Sequence, residues 1–255
     1  MLSGYYPVFT KGRVLKKESV EFLRDFPYEL ASLACEGRSD GMLCGFKVRL
    51  EDGRIHVGKG AIKHRGAIVL VDESATDMEE YGQLLYIRLY VGQCRETEDY
   101  RLCPTQTNID KRGIAGDNEV ELGRFCLSKG AELRTKYDSF GDMRTPENTL
   151  DITRVAFSGM DEPTLHPAVL KEYAKALLQT CPGDDGLGAS FALMCLGAPV
   201  VHKCAIQWYV AKKNHAEYKD YMLPALYDKL LEMLPEHSQI SKQRRLGGKW
   251  PRIEL

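Results

Sequence analysis

The chain has 255 residues and a formal net charge of −1, with 44% hydrophobic and 28% charged residues. That is enough chain for one large domain or two modest ones, at an ordinary soluble composition. The near-neutral balance excludes a whole-molecule field that would draw in nucleic acid or an anionic membrane.

No apolar run reaches the roughly 18–20 residues that a membrane helix needs. The longest candidate, ASFALMCLGAPVV at 189–201, carries Gly197 and Pro199. The opening MLSGYYPVFTKGRVLKK has no apolar block of the signal-peptide kind, so the expectation is a protein made and kept in a cytosol. The eight cysteines, Cys35, Cys44, Cys94, Cys103, Cys126, Cys181, Cys195 and Cys204, are scattered, most among apolar neighbours. Buried free thiols in a reducing compartment are the simplest reading.

Residues 17–34 place Val20, Leu23, Phe26, Leu30 and Leu33 at intervals of three and four, which predicts one helix face. Pro27 predicts a break or restart within it. From residue 42 the period falls to two. Phe46, Val48 and Leu50 alternate with Lys47 and Arg49, and the alternation resumes at Ile55, Val57, Ile62, Ile68 and Leu70. Three short strands joined by glycine-containing turns are predicted here. QLLYIRLYVGQC (83–94) is a further strand, DYRLCP (99–104) a candidate partner for it, and NEVELGRFCLSKGAEL (118–133) a hairpin-like unit.

The second half reads as helices. In 164–180, Pro167 suits a first turn and Val169, Leu170, Tyr173, Leu177 and Leu178 form the predicted buried stripe. Further helices are predicted over 190–197, 200–218 and 223–236, with the glycines of GDDGLG (183–188) read as a linker. The order is therefore α+β: an N-terminal helical lead (1–41), an antiparallel β-rich unit (42–145), a C-terminal helical domain (146–240) and a basic extended tail (241–255).

Gly53 to Lys59 spells G-x-x-x-x-G-K, nearly a phosphate-binding loop. Such a loop needs a helix after it and a Ser or Thr after the lysine, to surround phosphate with N–H groups and hold magnesium. Here Gly60 follows Lys59, and Arg54, Ile55, His56 and Val57 alternate like a strand. A β-meander is the better reading, and no cofactor is expected. Cys181, Cys195, His202 and Cys204 offer zinc-type ligands within 24 residues but without a C-x₂₋₄-C pair. Cys94 and Cys103 could face each other on paired strands, where a metal or disulfide role is no better supported. None of the six histidines, His56, His64, His166, His202, His215 and His237, adjoins a nucleophile elbow. His56 and His64 are expected to face solvent. DEPT (161–164) and GDD (183–185) read as helix-start carboxylates. No catalytic or metal residue is therefore assigned.

The tail carries Lys242, Arg244, Arg245, Lys249 and Arg252 around Trp250. Such a segment could contact phosphates and stack a base, or set one aromatic anchor into a partner protein. Protein docking is the favoured reading. With Tyr5 and Tyr6 of the YYPVF start, these are the candidate partner-binding residues, and QWYV (207–210) offers either anchors or core.

GYYPVFTKGRVLKKESVEFLRDFP, followed by RSDGMLCGFKVRLEDGRIHVGKGAIKHRGAIVLV, resembles small baseplate-type proteins of tailed phages, prophages and phage-like contractile injection particles. The shared features are the short helical lead, the turn at Ser39–Gly41, then G-F-x-V and I-x-V-x-x-G-x-x-x-x-x-G; the resemblance spans roughly 4–160. It implies an attachment-type β unit and a non-enzymatic connector whose partners are other tail or baseplate proteins, or copies of itself. It implies no small-molecule substrate, no membrane and no cofactor. It also implies assembly in the bacterial cytoplasm before incorporation into the particle. The competing readings are a nucleic-acid module using the basic tail and a hydrolase with a site assembled from distant residues.

Overall fold

The computed structural model describes residues 7–98, 101–113, 115–180 and 183–235. The chain divides into two compact units, Met1–Arg38 and Ser39–Leu255. The architecture is α+β, with a helix first, antiparallel sheets in the middle and helices last.

The first unit holds α1, Lys17–Ala34. Contrary to the sequence expectation, the helix runs through Pro27 without a break. The missing N–H removes one rung, the bond to the Leu23 carbonyl, and the turns on either side carry the helix across it.

The second unit opens with five strands where the sequence predicts three: β1 (Gly41–Gly45), β2 (Val48–Glu51), β3 (Arg54–Val57), β4 (Gly60–His64) and β5 (Ala67–Val71). Phe46 is the reason for the first extra break. It does not sit in the alternation but in a turn, at φ 55°, with its ring in the core against Gly60. Lys47, Val48 and Arg49 do alternate as read, Val48 inward and the two cations outward. The β2–β3 hairpin turns at Asp52 and Gly53, both at positive φ (50° and 72°), the two-residue turn whose twist suits paired strands. These strands do not form one meander. They split into two three-stranded sheets, ordered β1-β4-β5 and β2-β3-β6, where β6 is Ser74–Asp77.

A third sheet is ordered β10-β7-β11, with β7 at Leu84–Val91, β10 at Thr105–Asp110 and β11 at Glu119–Cys126. The expected partner of β7 is thus wrong. Arg101–Leu102 (β9) pairs with Arg95–Glu96 (β8) instead, and Glu119–Cys126 joins β7 rather than forming a hairpin. Beside the β8–β9 ribbon, Cys94 and Cys103 are disulfide-bonded, which corrects the expectation that the thiols are free. Among the described free cysteines only Cys195 is buried, while Cys44 and Cys204 are exposed.

Four helices follow: α2 (Pro167–Thr180), α3 (Gly186–Gly197), α4 (Lys203–Lys213) and α5 (Leu223–Glu232). The α2 stripe is buried at Val169, Leu170, Tyr173 and Leu177, but Leu178 is exposed. Residues 186–188, expected to be linker, form the first turn of α3. Asp185 caps it by accepting from the Gly188 N–H at 3.0 Å, which offsets the two glycines.

The unit has two apolar cores. One gathers β-strand residues such as Ile55, Ile62, Ile87, Leu89 and Phe125; the other gathers Phe140, Tyr173, Phe191, Tyr209 and Tyr227 from the helices. Ile152 packs against both.

Candidate partner-binding surfaces

The residues that the sequence singles out for partner binding, Tyr5, Tyr6, Lys242, Arg244, Arg245, Lys249, Trp250 and Arg252, lie outside the described residues. The chemical alternatives can be placed more fully. Gly53–Lys59 is hairpin and strand, and the exposed Lys59 ammonium lies 3.4 Å from Asp72, so no phosphate cradle forms there. Cys195 is buried in the helical core, with burial pushing its thiol up to about 12, while Cys204 is exposed. No group of three or more His, Cys, Asp or Glu side chains is arranged to hold a metal among the described residues, and Cys181 lies outside them. His56 and His64 are half-buried on β3 and β4 rather than solvent-facing. Asp161 sits in a turn at φ 63°, and Glu162 pairs with Lys203 instead of starting a helix. No described helix is long and apolar enough to cross a membrane.

The helix α1 carries an exposed apolar stripe. None of its eighteen residues is buried. Val20, Leu23, Leu30 and Leu33 are 45%, 50%, 56% and 67% exposed, and Phe26 lies on the same stripe. Glu18, Glu21 and Asp25 line the opposite face, with Lys17 paired to Glu21 at 3.6 Å. With Pro27 inside it and no buried face, this helix lacks the packing from which most helix stability in proteins comes. Its stripe is therefore the kind of surface that a partner covers.

The QWYV stretch divides as alternating helix faces require. Gln207, Tyr209 and Val210 are buried, and Trp208 is half-exposed, with its ring 4.8 Å from that of Tyr218 and the Lys212 ammonium 5.6 Å away. A polar latch, buried at Lys203 and Gln207 and exposed at Asp220, holds this corner. Lys203 Nζ donates to Glu162 and Asp220, both at 2.7 Å; Gln207 donates to Asp220 at 2.6 Å, and the Tyr218 hydroxyl donates to Gln207 at 2.6 Å. Burial alone would lower the Lys203 pKa, but hydrogen bonds to the two carboxylates outweigh it and raise it. No periodicity in the sequence marks this latch, because its members are drawn from 162 to 220.

A cavity of about 440 Å³ lies beside β2. Met42, Val48, Leu122, Leu150 and Ile152 supply its apolar wall, and Lys47, Thr135 and His166 its polar rim. His166 Nδ1 accepts from the Ala168 N–H at 3.1 Å, so the neutral ring carries its proton on Nε2. Burial lowers the His166 pKa to about 4, which keeps the ring neutral near pH 7. Its Nε2–H, the Lys47 ammonium and the Thr135 hydroxyl have no protein partner among the described residues.

The strand alongside is a sheet edge. Glu51 pairs with Arg54 across the two-residue turn and Arg49 with His56, and the Gly58 N–H donates to the Lys47 carbonyl at 2.9 Å. Antiparallel ladders alternate, so the N–H and C=O groups of Val48 and Leu50 point away from β3. Among the described residues no strand pairs with β2 on that side. Two other edges are covered: β1 by hydrogen bonds with Ala156 and Ser158, and β11 by bonds with Asp151.

No known protein family matches the chain, and no curated protein matches it. Solved structures do. The chain is similar to a crystal structure of TssK, at a TM-score of 0.37 and 11% identity, covering 90% of this chain and 69% of that one. It is also similar to a chain of the TssK-TssF-TssG baseplate subcomplex of the type VI secretion system, at 0.40 and 10%, covering 92% of this chain and 100% of that one. A third match is a chain of the type VI secretion baseplate complex, at 0.39 and 11%, covering 91% and 100%. The structural resemblance to baseplate proteins is thus weak, and at this level it assigns neither a family nor a partner.

Proposed function

We propose that this protein is a non-enzymatic connector of a phage-like tail or contractile injection baseplate, acting through contacts with neighbouring subunits. The observation that carries this reading is the amphipathic helix α1, whose apolar stripe is exposed along its whole length. The resemblance of residues 4–160 to baseplate-type proteins supports the kind of assembly. On this reading the protein is assembled in the bacterial cytoplasm, ends in the particle and turns over no substrate.

The test is co-purification of the tagged full chain from cells expressing the whole gene locus. The expected result is a stoichiometric complex with other tail proteins that survives gel filtration. A chain that elutes alone as a monomer under those conditions contradicts the proposal.

A further inference from the structure

The outer edge of β2 joins three features: backbone donors and acceptors at Val48 and Leu50 that no strand meets among the described residues, an adjacent apolar cavity, and two cations, Lys47 and Arg49, projecting beside it. We propose that this edge receives a short extended segment of a partner protein, with alternating apolar and acidic residues, as an added β-strand whose apolar side chains enter the cavity.

Added strands gain main-chain hydrogen bonds from the edge and specificity from pockets for alternate side chains. At about 440 Å³ the cavity lies within the roughly 300–1,000 Å³ of a typical binding pocket. His166 Nε2–H and the Thr135 hydroxyl can meet carbonyl groups of the incoming chain. The acidic character follows from cross-strand pairing. Lys47 and Arg49 project on one face, with Arg49 also bonded to Glu51 at 2.9 Å, and carboxylates opposite them are favourable. A second copy of β2 paired about Val48 would set Lys47 opposite Arg49, so the cations disfavour that self-pairing register. This inference rests on the connector reading only for the partner's being a protein subunit; the edge and cavity are independent of α1.

The test uses fluorescence anisotropy of the labelled peptide Glu-Val-Glu-Ile-Glu-Val-Glu with the full chain. Controls are its Lys-for-Glu counterpart and a version N-methylated at alternate amides. The acidic peptide should bind in the micromolar range, and N-methylation should weaken it by about tenfold or more, since each 1.4 kcal/mol of lost hydrogen bonding is a factor of ten. Lys47→Glu with Arg49→Glu should weaken the acidic peptide and admit the basic one. Val48→Pro removes an N–H that no ladder bond uses, together with one buried valine side chain, and should abolish binding in a chain that circular dichroism shows to be folded. Should that variant fail to fold, the N-methylated probe makes the same test without altering the protein. Absence of binding at about 0.5 mM, equal binding of the N-methylated probe, or preference for the basic peptide overturns the proposal. Peptide binding that persists in a Leu23→Asp/Leu30→Asp chain that has lost its co-purifying partners supports the edge site while leaving the connector test to decide its own question.

Discussion

Replacing Asp110 by Ala should destabilise the protein by about 3 kcal/mol, because it strands a charge inside a sheet. Arg88 lies on the central strand β7 and its side chain is 0% exposed. Its guanidinium donates to Asp110 and to the Arg112 carbonyl, stands 4.9 Å from the Tyr86 ring, and leaves Nε without a partner among the described residues. Asp110 in turn accepts from the Arg112 backbone at 3.0 Å and side chain at 2.6 Å, and Arg112 reaches Glu119 at 2.7 Å. Removing the carboxylate leaves Arg88 no way back to water. Arg88→Met with Asp110→Leu, which removes both charges, should recover most of the loss. Urea unfolding of the three variants, followed by circular dichroism, measures this; a single-variant loss under about 1 kcal/mol would show the pair to be better hydrated than its burial indicates. The pH dependence has a fixed sign. Burial would raise the Asp110 pKa, but the Arg112 hydrogen bonds and the charges of Arg88 and Arg112 outweigh it and hold it below the usual range. The stabilisation is thus complete above about pH 4 and fades as pH falls through the folded-state pKa.

Phe140→Ala should cost about 3–5 kcal/mol, the largest single loss expected in the helical core. Its ring is 1% exposed and lies 4.5 Å from Tyr227 and 5.2 Å edge-on from Tyr173. The cavity left behind cannot collapse easily. Tyr227 is tied by its hydroxyl to the Phe140 carbonyl at 2.5 Å and capped by Arg144 at 4.1 Å, and Tyr173 is tied to Tyr209 at 3.1 Å. Thermal unfolding followed by circular dichroism measures the loss. A variant melting within a degree or two of the parent would show that the aromatic cluster repacks freely.

What the sequence reveals of this fold depends on how local each cause is. α2 is legible because period and packing agree, whereas α1 is legible from its period alone, since none of its residues is buried. The β2–β3 hairpin is legible because Asp52–Gly53 dictates its own turn and Val48 alternates with Lys47 and Arg49. Pairing between distant segments is not legible: nothing near β7 announces β10 and β11 as its neighbours, or the Cys94–Cys103 bond beside β8 and β9. The α3 start was hidden because two glycines argue against helix and the Asp185 cap that offsets them is a single side chain. The surfaces follow the same rule. The α1 stripe is written in its spacing, but its exposure is a property of the folded chain. The cavity beside β2 draws its walls from residues 42 to 168 and leaves no linear mark.

The central claim, that α1 works by docking on a partner, is tested most directly by Leu23→Asp combined with Leu30→Asp in the full chain. Both side chains are at least half exposed, so the variant should unfold at the same urea concentration as the parent. Burying either carboxylate in an interface centre should cost about 2 kcal/mol or more, enough together for the complex with co-expressed tail proteins to be lost on gel filtration. An unchanged unfolding midpoint with loss of the complex is the predicted result; a complex that co-elutes undiminished would contradict it.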